Sequence, residues 1–234
     1  MEDFNWFGWM SDKVVEHNIH IVTGTFVALL LITLSFLYNR SLKAASEEVV
    51  PTGKFSLKNI FQYAVESLLS LMEGIIGHEA RDYFPLVGGL FIYIFVSNLI
   101  GAIPGFIPPT ENVNTNFACS ITVFLYYNYL GVKKQGAKNY FKHFMGPVAW
   151  LAWLMLPIEL ISHIVRPVTL SLRLLINMFG DHLVLGVFSG LVPLIIPVIF
   201  MALGVFVAFI QAFVFSLLST VYIGLAVAHE EGHH

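Results

Sequence analysis

Charged residues are scarce in this chain, and their scarcity excludes most classes of protein. Asp, Glu, Lys and Arg make up only 12% of the 234 residues, about half of their share in an ordinary soluble domain. A stretch of 48 residues between Asp181 and Glu230 contains none of the four types. Such a stretch is typical of a membrane protein, because the bilayer core penalises each charge by several kcal/mol. A soluble enzyme is therefore excluded.

Cysteine and net positive charge are also lacking. Cys119 is the only cysteine, which excludes a disulfide-stapled secreted module, and we expect it to pack in its apolar run. The formal net charge of −3 argues against a nucleic-acid partner. Glu2 and Asp3 make the start of the chain acidic where a cleavable signal peptide is basic, so we interpret the first apolar run as a retained span.

Apolar runs of membrane-spanning length are abundant. A spanning helix needs about 20 residues for a hydrocarbon core about 30 Å thick. Between the first two runs, residues 55–76 repeat apolar side chains at helical spacing but keep a polar face, which predicts an amphipathic helix at the membrane interface. We predict one all-α integral membrane domain, 1–234, with five transmembrane helices and this interfacial helix. The predicted spans are 18–38, 86–103, 113–131, 148–188 and 193–228.

The last two runs are too long to cross a bilayer upright. Residues 148–188 would form about 60 Å of helix at 1.5 Å per residue, roughly twice the hydrocarbon thickness. Either this run is two spans broken at Pro157 or Pro167, or it is one helix that lies strongly tilted. No turn cluster separates the two halves. We therefore expect two long, strongly tilted helices, 148–188 and 193–228, in a hairpin.

Lys and Arg are distributed unequally among the connectors. The connectors 39–81 and 132–147 hold nine of the twelve basic residues, whereas those around 104–112 and 187–192 hold none. The positive-inside rule places the two basic connectors in the cytoplasm. We therefore expect the N-terminus outside the cell and the C-terminus in the cytoplasm.

Ionisable side chains recur inside the run 148–188, where a bilayer should exclude them. On a helical projection with 100° per residue, the ionisable residues between positions 159 and 181 fall within about 80° of Arg173. His182 falls on the opposite side of the helix. One polar stripe therefore follows an otherwise apolar helix. The alternative interpretation is a buried polar seam that joins helices. These residues are Glu159, His163, Arg166, Arg173, Asp181 and His182.

Arg173 is the member of this stripe that most needs a partner. An Arg at mid-membrane costs about 2.5–3.5 kcal/mol on insertion scales, and no acidic residue lies three or four positions from it. An Arg without an internal counter-ion implies an external one. For His163 a packing role and a functional role stay equally open. For Arg166 we expect snorkelling to the cytoplasmic surface.

The motifs around these residues resemble those of one family. Residues 167–182 read PVTLSLRLLINMFGDH and are similar to the pattern P-x-[ST]-L-x-x-R-L-x-x-N-[ML] of subunit a of F-type ATP synthases. Residues 211–215, QAFVF, match its Q-A-[FY]-[IV]-F motif. Residues 97–106 and 109–114 look like its S-N-L-x-G-x-[IL]-P and P-[ST]-x-[DN]-x-N segments. The resemblance extends from about residue 17 to residue 228.

This resemblance implies a proton-translocating stator subunit of a rotary ATP synthase in a bacterial inner membrane. Such a subunit is non-catalytic and needs no cofactor or metal. It would face the c-subunit ring, bind peripheral-stalk b subunits and act with the catalytic head through the stalk. The counter-ion of Arg173 would be the passing ring carboxylate. Arg173 would be essential for proton translocation, as the electrostatic separator of two aqueous half-channels.

The resemblance also implies the rest of the proton path. Asn177 and Gln211 would line the outer half-channel, and His182 stands where some members have Glu. Glu159 is a candidate for the cytoplasmic half-channel. The proton-path candidates are together Asn177, His182, Gln211, Glu159, His163 and Asp181.

Two other classes are weighed against this interpretation. A secondary ion-coupled transporter would also carry intramembrane charges, but the paired repeats and broken helices typical of that class are not visible here. An intramembrane enzyme would need a nucleophile with its base, or a metal cluster, and no such spacing appears. The transporter is the alternative hypothesis.

Overall fold

The computed structural model describes residues 14–44, 57–101, 103, 106–136, 139–140, 152–191 and 195–227. Within these ranges the chain forms six α-helices and one 3₁₀ turn, Pro109–Glu111, without any strand. The all-α fold class predicted from the sequence is confirmed. In chain order the helices are α1 (Val14–Ala44), α2 (Leu57–Ile76), α3 (Ala80–Gly101), α4 (Val113–Gln135), α5 (Ala152–Leu191) and α6 (Ile195–Val227).

Four helices of the described ranges are long and apolar enough to cross a membrane, by length and composition. The segments that qualify are Ile19–Phe36, Ala80–Gly101, Trp153–Phe188 and Val198–Val227. They confirm an integral membrane protein. Helix α4 has 23 residues, but polar side chains such as Asn116 and Asn128 lower its hydropathy. Five crossings therefore stay a prediction.

Helices α3 and α4 extend beyond the apolar runs that predicted them. Helix α3 begins six residues before the span 86–103, with Arg81 and Asp82 in its first turn. Helix α4 continues through Lys133 and Lys134. Hydropathy predicts only the apolar segment of a helix. The backbone hydrogen bonds of the helix continue beyond that segment into polar turns that water can solvate.

Helix α5 runs without a break through two prolines. Pro157 and Pro167 lie inside a helix of 40 residues, although each lacks the N–H that would bond to the preceding turn. This continuity agrees with the single-helix interpretation of 148–188, of which residues 148–151 lie outside the described part. At 1.5 Å per residue α5 is about 60 Å long. The strong tilt that this length requires in a bilayer stays a prediction.

The helices pack around one core. Helix α3 packs most extensively against α6, α4 packs against both α5 and α6, and α2 lies against α3 and α6. Polar contacts add to this packing: the hydroxyl oxygens of Ser120 in α4 and Ser171 in α5 are 2.6 Å apart and buried, as is common between membrane helices. Buried apolar core residues include Met72, Val87, Ile94, Val123, Leu174, Phe215 and Ile223.

Helix α2 has the amphipathic character expected of residues 55–76. Leu68 and Met72 are buried, while Gln62 and Glu66 are exposed and joined by a hydrogen bond of 2.8 Å. One face of α2 therefore belongs to the core. Its location at the bilayer surface stays a prediction.

A glycine at the end of α3 leaves room for the tip of the Met178 side chain of α5 and for the Pro108 ring. A Cβ atom at Gly101 would collide with Cε of Met178 in α5, and it would lie 2.8 Å from Cγ of Pro108. A Cβ at Gly89 in the same helix would meet no atom within 4 Å. A side chain at residue 101 would therefore require Met178 to change its rotamer and Pro108 to shift.

Candidate functional site

A cavity with a largely apolar lining and four polar side chains lies between α3, α5 and α6, beside Gly101. Its volume is about 40 Å³, which is enough for two or three water molecules at about 10–15 Å³ each in the same measure. Asn98, Asn177, Asp181 and Gln211 supply its polar lining. Three of the predicted proton-path residues are therefore brought together around one small cavity, which we call the α3–α5–α6 cavity.

Asn177 and Gln211 join α5 to α6 at this cavity. The Nδ2 of Asn177 donates a hydrogen bond of 2.6 Å to Oε1 of Gln211. Gln211 is 4% exposed, and its Nε2 has no hydrogen-bond partner among the described protein groups. A buried unpaired donor costs about 1–3 kcal/mol.

Asn98 is a cavity residue that the candidate proton path omitted. Thr110 Oγ1 donates to Asn98 Oδ1 at 2.6 Å, and Asn116 Nδ2 donates to the backbone oxygen of Thr110 at 2.7 Å. The 3₁₀ turn and α4 therefore fix the Asn98 side chain. A polar amide inside the predicted span 86–103 was the signal that could have identified it.

Along α5, Arg173 lies four residues before Asn177, and Asp181 lies four residues after it. Its side chain is half-buried, and its neighbours Leu172 and Ile176 are exposed apolar residues. The ion pairs of the described chain join Arg81 to Glu73, Lys134 to Glu79 and Arg166 to Glu159, and none includes Arg173. A guanidinium at an apolar surface thus has no carboxylate of the described chain within 4 Å.

A second polar cluster precedes Arg173 on α5. Arg166 Nη2 and Glu159 Oε1 are 3.7 Å apart, and the guanidinium carbon of Arg166 lies 5.3 Å from the ring centroid of Tyr222 in α6. Arg166 therefore has partners within the protein, which the snorkelling interpretation did not include. Glu159, His163 and Arg166 lie on the same stripe of α5, and we call them the α5 entrance cluster.

His163 is buried and connected to α4. Its Nε2 lies 2.8 Å from Oδ1 of Asn128, and its ring centroid lies 5.0 Å from that of Phe124 and 5.4 Å from that of Tyr127. The Tyr140 hydroxyl donates to the same Asn128 oxygen at 2.8 Å. Sequence reasoning missed Asn128 and Tyr140. The amide inside the predicted span 113–131 was a usable signal for Asn128, whereas nothing in the sequence pointed to Tyr140.

The remaining candidate is His182. It lies in α5 directly after Asp181, but its side chain belongs to the part of the chain that is not described. Its predicted place opposite the polar stripe therefore stays a prediction. Within the described residues no group of three or more His, Cys, Asp or Glu side chains could hold a metal ion.

The fold and these two clusters define a class: α-helical membrane proteins that carry ionisable side chains inside the membrane, where such groups mark ion pathways. Sequence comparison gives the particular family, since the profile of the family "ATP synthase A chain" matches residues 21–224. The chain belongs to this family. The resemblance read from the motifs is confirmed, and the chain is a component of the ATP synthase membrane sector that serves ATP synthesis and proton transport.

Individual relatives match over nearly the whole chain. ATP synthase subunit a of Bdellovibrio bacteriovorus is 44% identical over 227 residues, which cover 97% of this chain and 99% of that protein. The corresponding protein of Sulfurimonas denitrificans is 41% identical over 98% of this chain and 99% of its own length. That of Trichlorobacter lovleyi is 46% identical over 92% and 89%. Bacterial relatives and apolar helices together identify a bacterial inner-membrane protein.

Proposed function

We propose that this chain is the stator subunit through which a bacterial ATP synthase moves protons, and that Arg173 separates two half-channels leading to the carboxylates of a c-subunit ring. The observation that carries the proposal is the position of Arg173. It is a half-buried cation with no ion-pair partner among the described residues, on a continuous helix, with a polar cluster on either side along the axis. The family membership supplies the rotary context.

The α3–α5–α6 cavity is the proposed outer half-channel. Asn177 lies about 6 Å and Asp181 about 12 Å from Arg173 along the helix axis, at 1.5 Å per residue. Water in the cavity, beside the side chains of Asn177 and Asp181, could carry a proton towards the level of Arg173. His182, next to Asp181, is proposed as a further relay, because an imidazole titrates near neutral pH.

The α5 entrance cluster is the proposed cytoplasmic half-channel. Glu159 lies about 21 Å from Arg173 along the axis on the opposite side from Asp181, and its side chain is 40% exposed. An exposed carboxylate can exchange protons with the cytoplasm. His163 lies one turn further along, at the packed end of the cluster. Under this proposal a proton leaves the ring on this side and enters it on the other.

The work of Arg173 is electrostatic. A guanidinium does not deprotonate in proteins, so it cannot relay the proton itself. A fixed positive charge favours the ionised form of a passing ring carboxylate and makes it release its proton into one half-channel. The same charge repels protons and blocks a direct leak between the half-channels. Each proton that crosses contributes about 2.3 kcal/mol per 100 mV of membrane potential.

Partners follow from the surfaces beside Arg173. Exposed apolar side chains of α5 lie beside Arg173 in the sequence, and we propose that they contact the outer surface of a c-subunit ring. Peripheral-stalk b subunits would hold the chain still and link it to the catalytic head. The residues proposed for this contact are Leu172, Ile176 and Phe179 of α5.

Replacement of Arg173 tests the proposal. In the whole ATP synthase, reconstituted in vesicles, Arg173→Ala should abolish ATP synthesis and ATP-driven proton pumping, because no other cation of the stripe lies at that level. The complex should still assemble, since loss of an unpaired cation from an apolar surface relieves a desolvation cost. Passive proton leak should persist or rise. Arg173→Lys should also fail, because a lysine lacks the planar fork and loses its charge more readily when buried.

A matched control is Arg81→Ala. Arg81 is 75% exposed and lies 3.0 Å from Glu73 at the start of α3, where an ion pair contributes only about 0–1 kcal/mol. This variant should keep coupled synthesis. If Arg173→Ala assembles normally and synthesises ATP near the wild-type rate, Arg173 is not the separator.

A further inference from the structure

The orientation of the Asn128 amide is fixed by its own helix. Nδ2 of Asn128 lies 2.6 Å from the backbone oxygen of Phe124. A carbonyl oxygen only accepts hydrogen bonds, so the atom that faces it must be the amide nitrogen. This contact therefore assigns the oxygen and the nitrogen of the side-chain amide, an assignment that is made from the hydrogen-bond network. Oδ1 of Asn128 therefore points away from Phe124.

This oxygen determines where His163 carries its proton. Oδ1 of Asn128 receives the Tyr140 hydroxyl at 2.8 Å and lies 2.8 Å from Nε2 of His163. An amide oxygen has no proton to donate, so the contact with His163 is a hydrogen bond only when Nε2 carries the hydrogen. Burial raises the pKa of Tyr140, although the charge of Arg166 opposes this. The phenol therefore stays a donor at neutral pH.

Packing keeps the imidazole in this arrangement. The Phe124 and Tyr127 rings flank it on the α4 side. Tyr140 reaches Asn128 because residue 131 is a glycine, since a Cβ there would collide with the Tyr140 ring. The tautomer of a neutral histidine is set by the hydrogen bond of one of its nitrogens. Here the bond between His163 and Asn128 is fixed at the imidazole by the Phe124 and Tyr127 rings and at the amide by its other hydrogen bonds.

We propose that Asn128 is a positioning residue that keeps the proton of neutral His163 on Nε2, so that Nδ1 is the nitrogen at which His163 takes up a proton. The assignment deepens the proposed function and rests on it for its role in transport, because it defines the accepting atom of the α5 entrance cluster. It gives α4 a part in the proton path that none of the predicted site residues supplies.

Nitrogen NMR of the intact ATP synthase in lipid vesicles tests the tautomer directly. With ¹⁵N-labelled histidine at about pH 8.5, where an ordinary histidine is neutral, the His163 signals are identified by their loss in His163→Gln. We expect a protonated Nε2 and an unprotonated Nδ1. Asn128→Leu should produce a mixture of tautomers. Tyr140→Phe, which leaves the His163 bond in place, should keep the wild-type pattern.

Two results would overturn the assignment. One is a wild-type spectrum with the proton on Nδ1, which needs no variant and so does not depend on any variant folding. The other is an assembled Asn128→Leu complex whose His163 signals are unchanged.

Transport measurements separate positioning from simple packing. Asn128→Leu should slow ATP-driven acidification by about tenfold, the low end of what the loss of an orienting partner costs a metal-bound histidine. In a His163→Gln background the same substitution should cause no further loss. An equal loss in both backgrounds would reject the positioning role. If Arg173→Ala retains coupling and His163 carries its proton on Nε2, the proposed function fails and the tautomer assignment stands. If Arg173→Ala loses coupling and His163 carries its proton on Nδ1, the tautomer assignment alone is rejected.

Discussion

At the scale of single residues, the two polar clusters differ in how their amides are satisfied. Asn128 uses its nitrogen on Phe124 and its oxygen on Tyr140 and His163. Gln211 uses its oxygen on Asn177, while its Nε2 has no partner among the described protein groups. Three hydrogen bonds hold the Asn128 amide among the described groups, whereas one holds the Gln211 amide, which lines the cavity. Chemically similar side chains therefore suit different tasks in the two clusters.

Replacement of Gln211 by Leu should lower both proton pumping and stability. It removes the acceptor of Nδ2 of the half-buried Asn177, and the loss of one such hydrogen bond costs about 0.5–1.5 kcal/mol. The thermal midpoint of the assembled complex measures this loss. The double variant with Asn177→Leu should be less destabilised than the sum of the two single variants, because both halves of the pair are then removed together. Strict additivity would show that the hydrogen bond contributes nothing.

At the scale of elements, the close approach of Met178 and Pro108 to the end of α3 should limit what can replace Gly101. Gly101→Ala adds a methyl group where Met178 and Pro108 already lie, and overpacking of this kind costs about 1–3 kcal/mol. The variant should therefore yield less assembled complex with a lower thermal midpoint. Gly89→Ala in the same helix is the matched control, and there we expect no loss. Equal effects of the two substitutions would contradict the close approach.

The sequence predicted relations within a helix better than relations between helices. The stripe that joins Glu159, Arg173 and Asp181 followed from 100° per residue, because angular position on one helix depends on spacing alone. The bond between His163 and Asn128 links residues 35 positions apart, and their meeting depends on how α4 and α5 pack. The contact of Arg166 with Tyr222 was missed for the same reason, since Tyr222 belongs to another helix.

At the scale of the whole molecule, topology depends on α4. With four crossings both termini would lie on the same side, and the basic connectors 39–81 and 132–147 would lie on opposite sides. Five crossings place both connectors in the cytoplasm, as the positive-inside rule requires. We therefore expect α4 to span despite its asparagines, with the N-terminus outside and the C-terminus in the cytoplasm.

Single-cysteine labelling tests this topology. In a Cys119→Ser background, a thiol introduced by Lys138→Cys should react with an impermeant reagent only from the cytoplasmic face. A thiol introduced by Glu2→Cys should react only from the outer face. If the thiol at residue 138 reacts only from outside, the predicted orientation is wrong. If both thiols react from the same face, the chain has one crossing fewer than predicted.

The hydrogen bonds on either side of Arg173 have a mechanical consequence. A stationary part that pulls on a rotor is pulled back with equal force, and here that force would act sideways on α5 at residue 173. The Ser120–Ser171 bond attaches α5 to α4 two residues earlier, and the Asn177–Gln211 bond attaches it to α6 four residues later. The helix is thus braced towards two neighbours at the point of load. Recoil from each step of the ring would spread into the bundle, and Arg173 would keep its place.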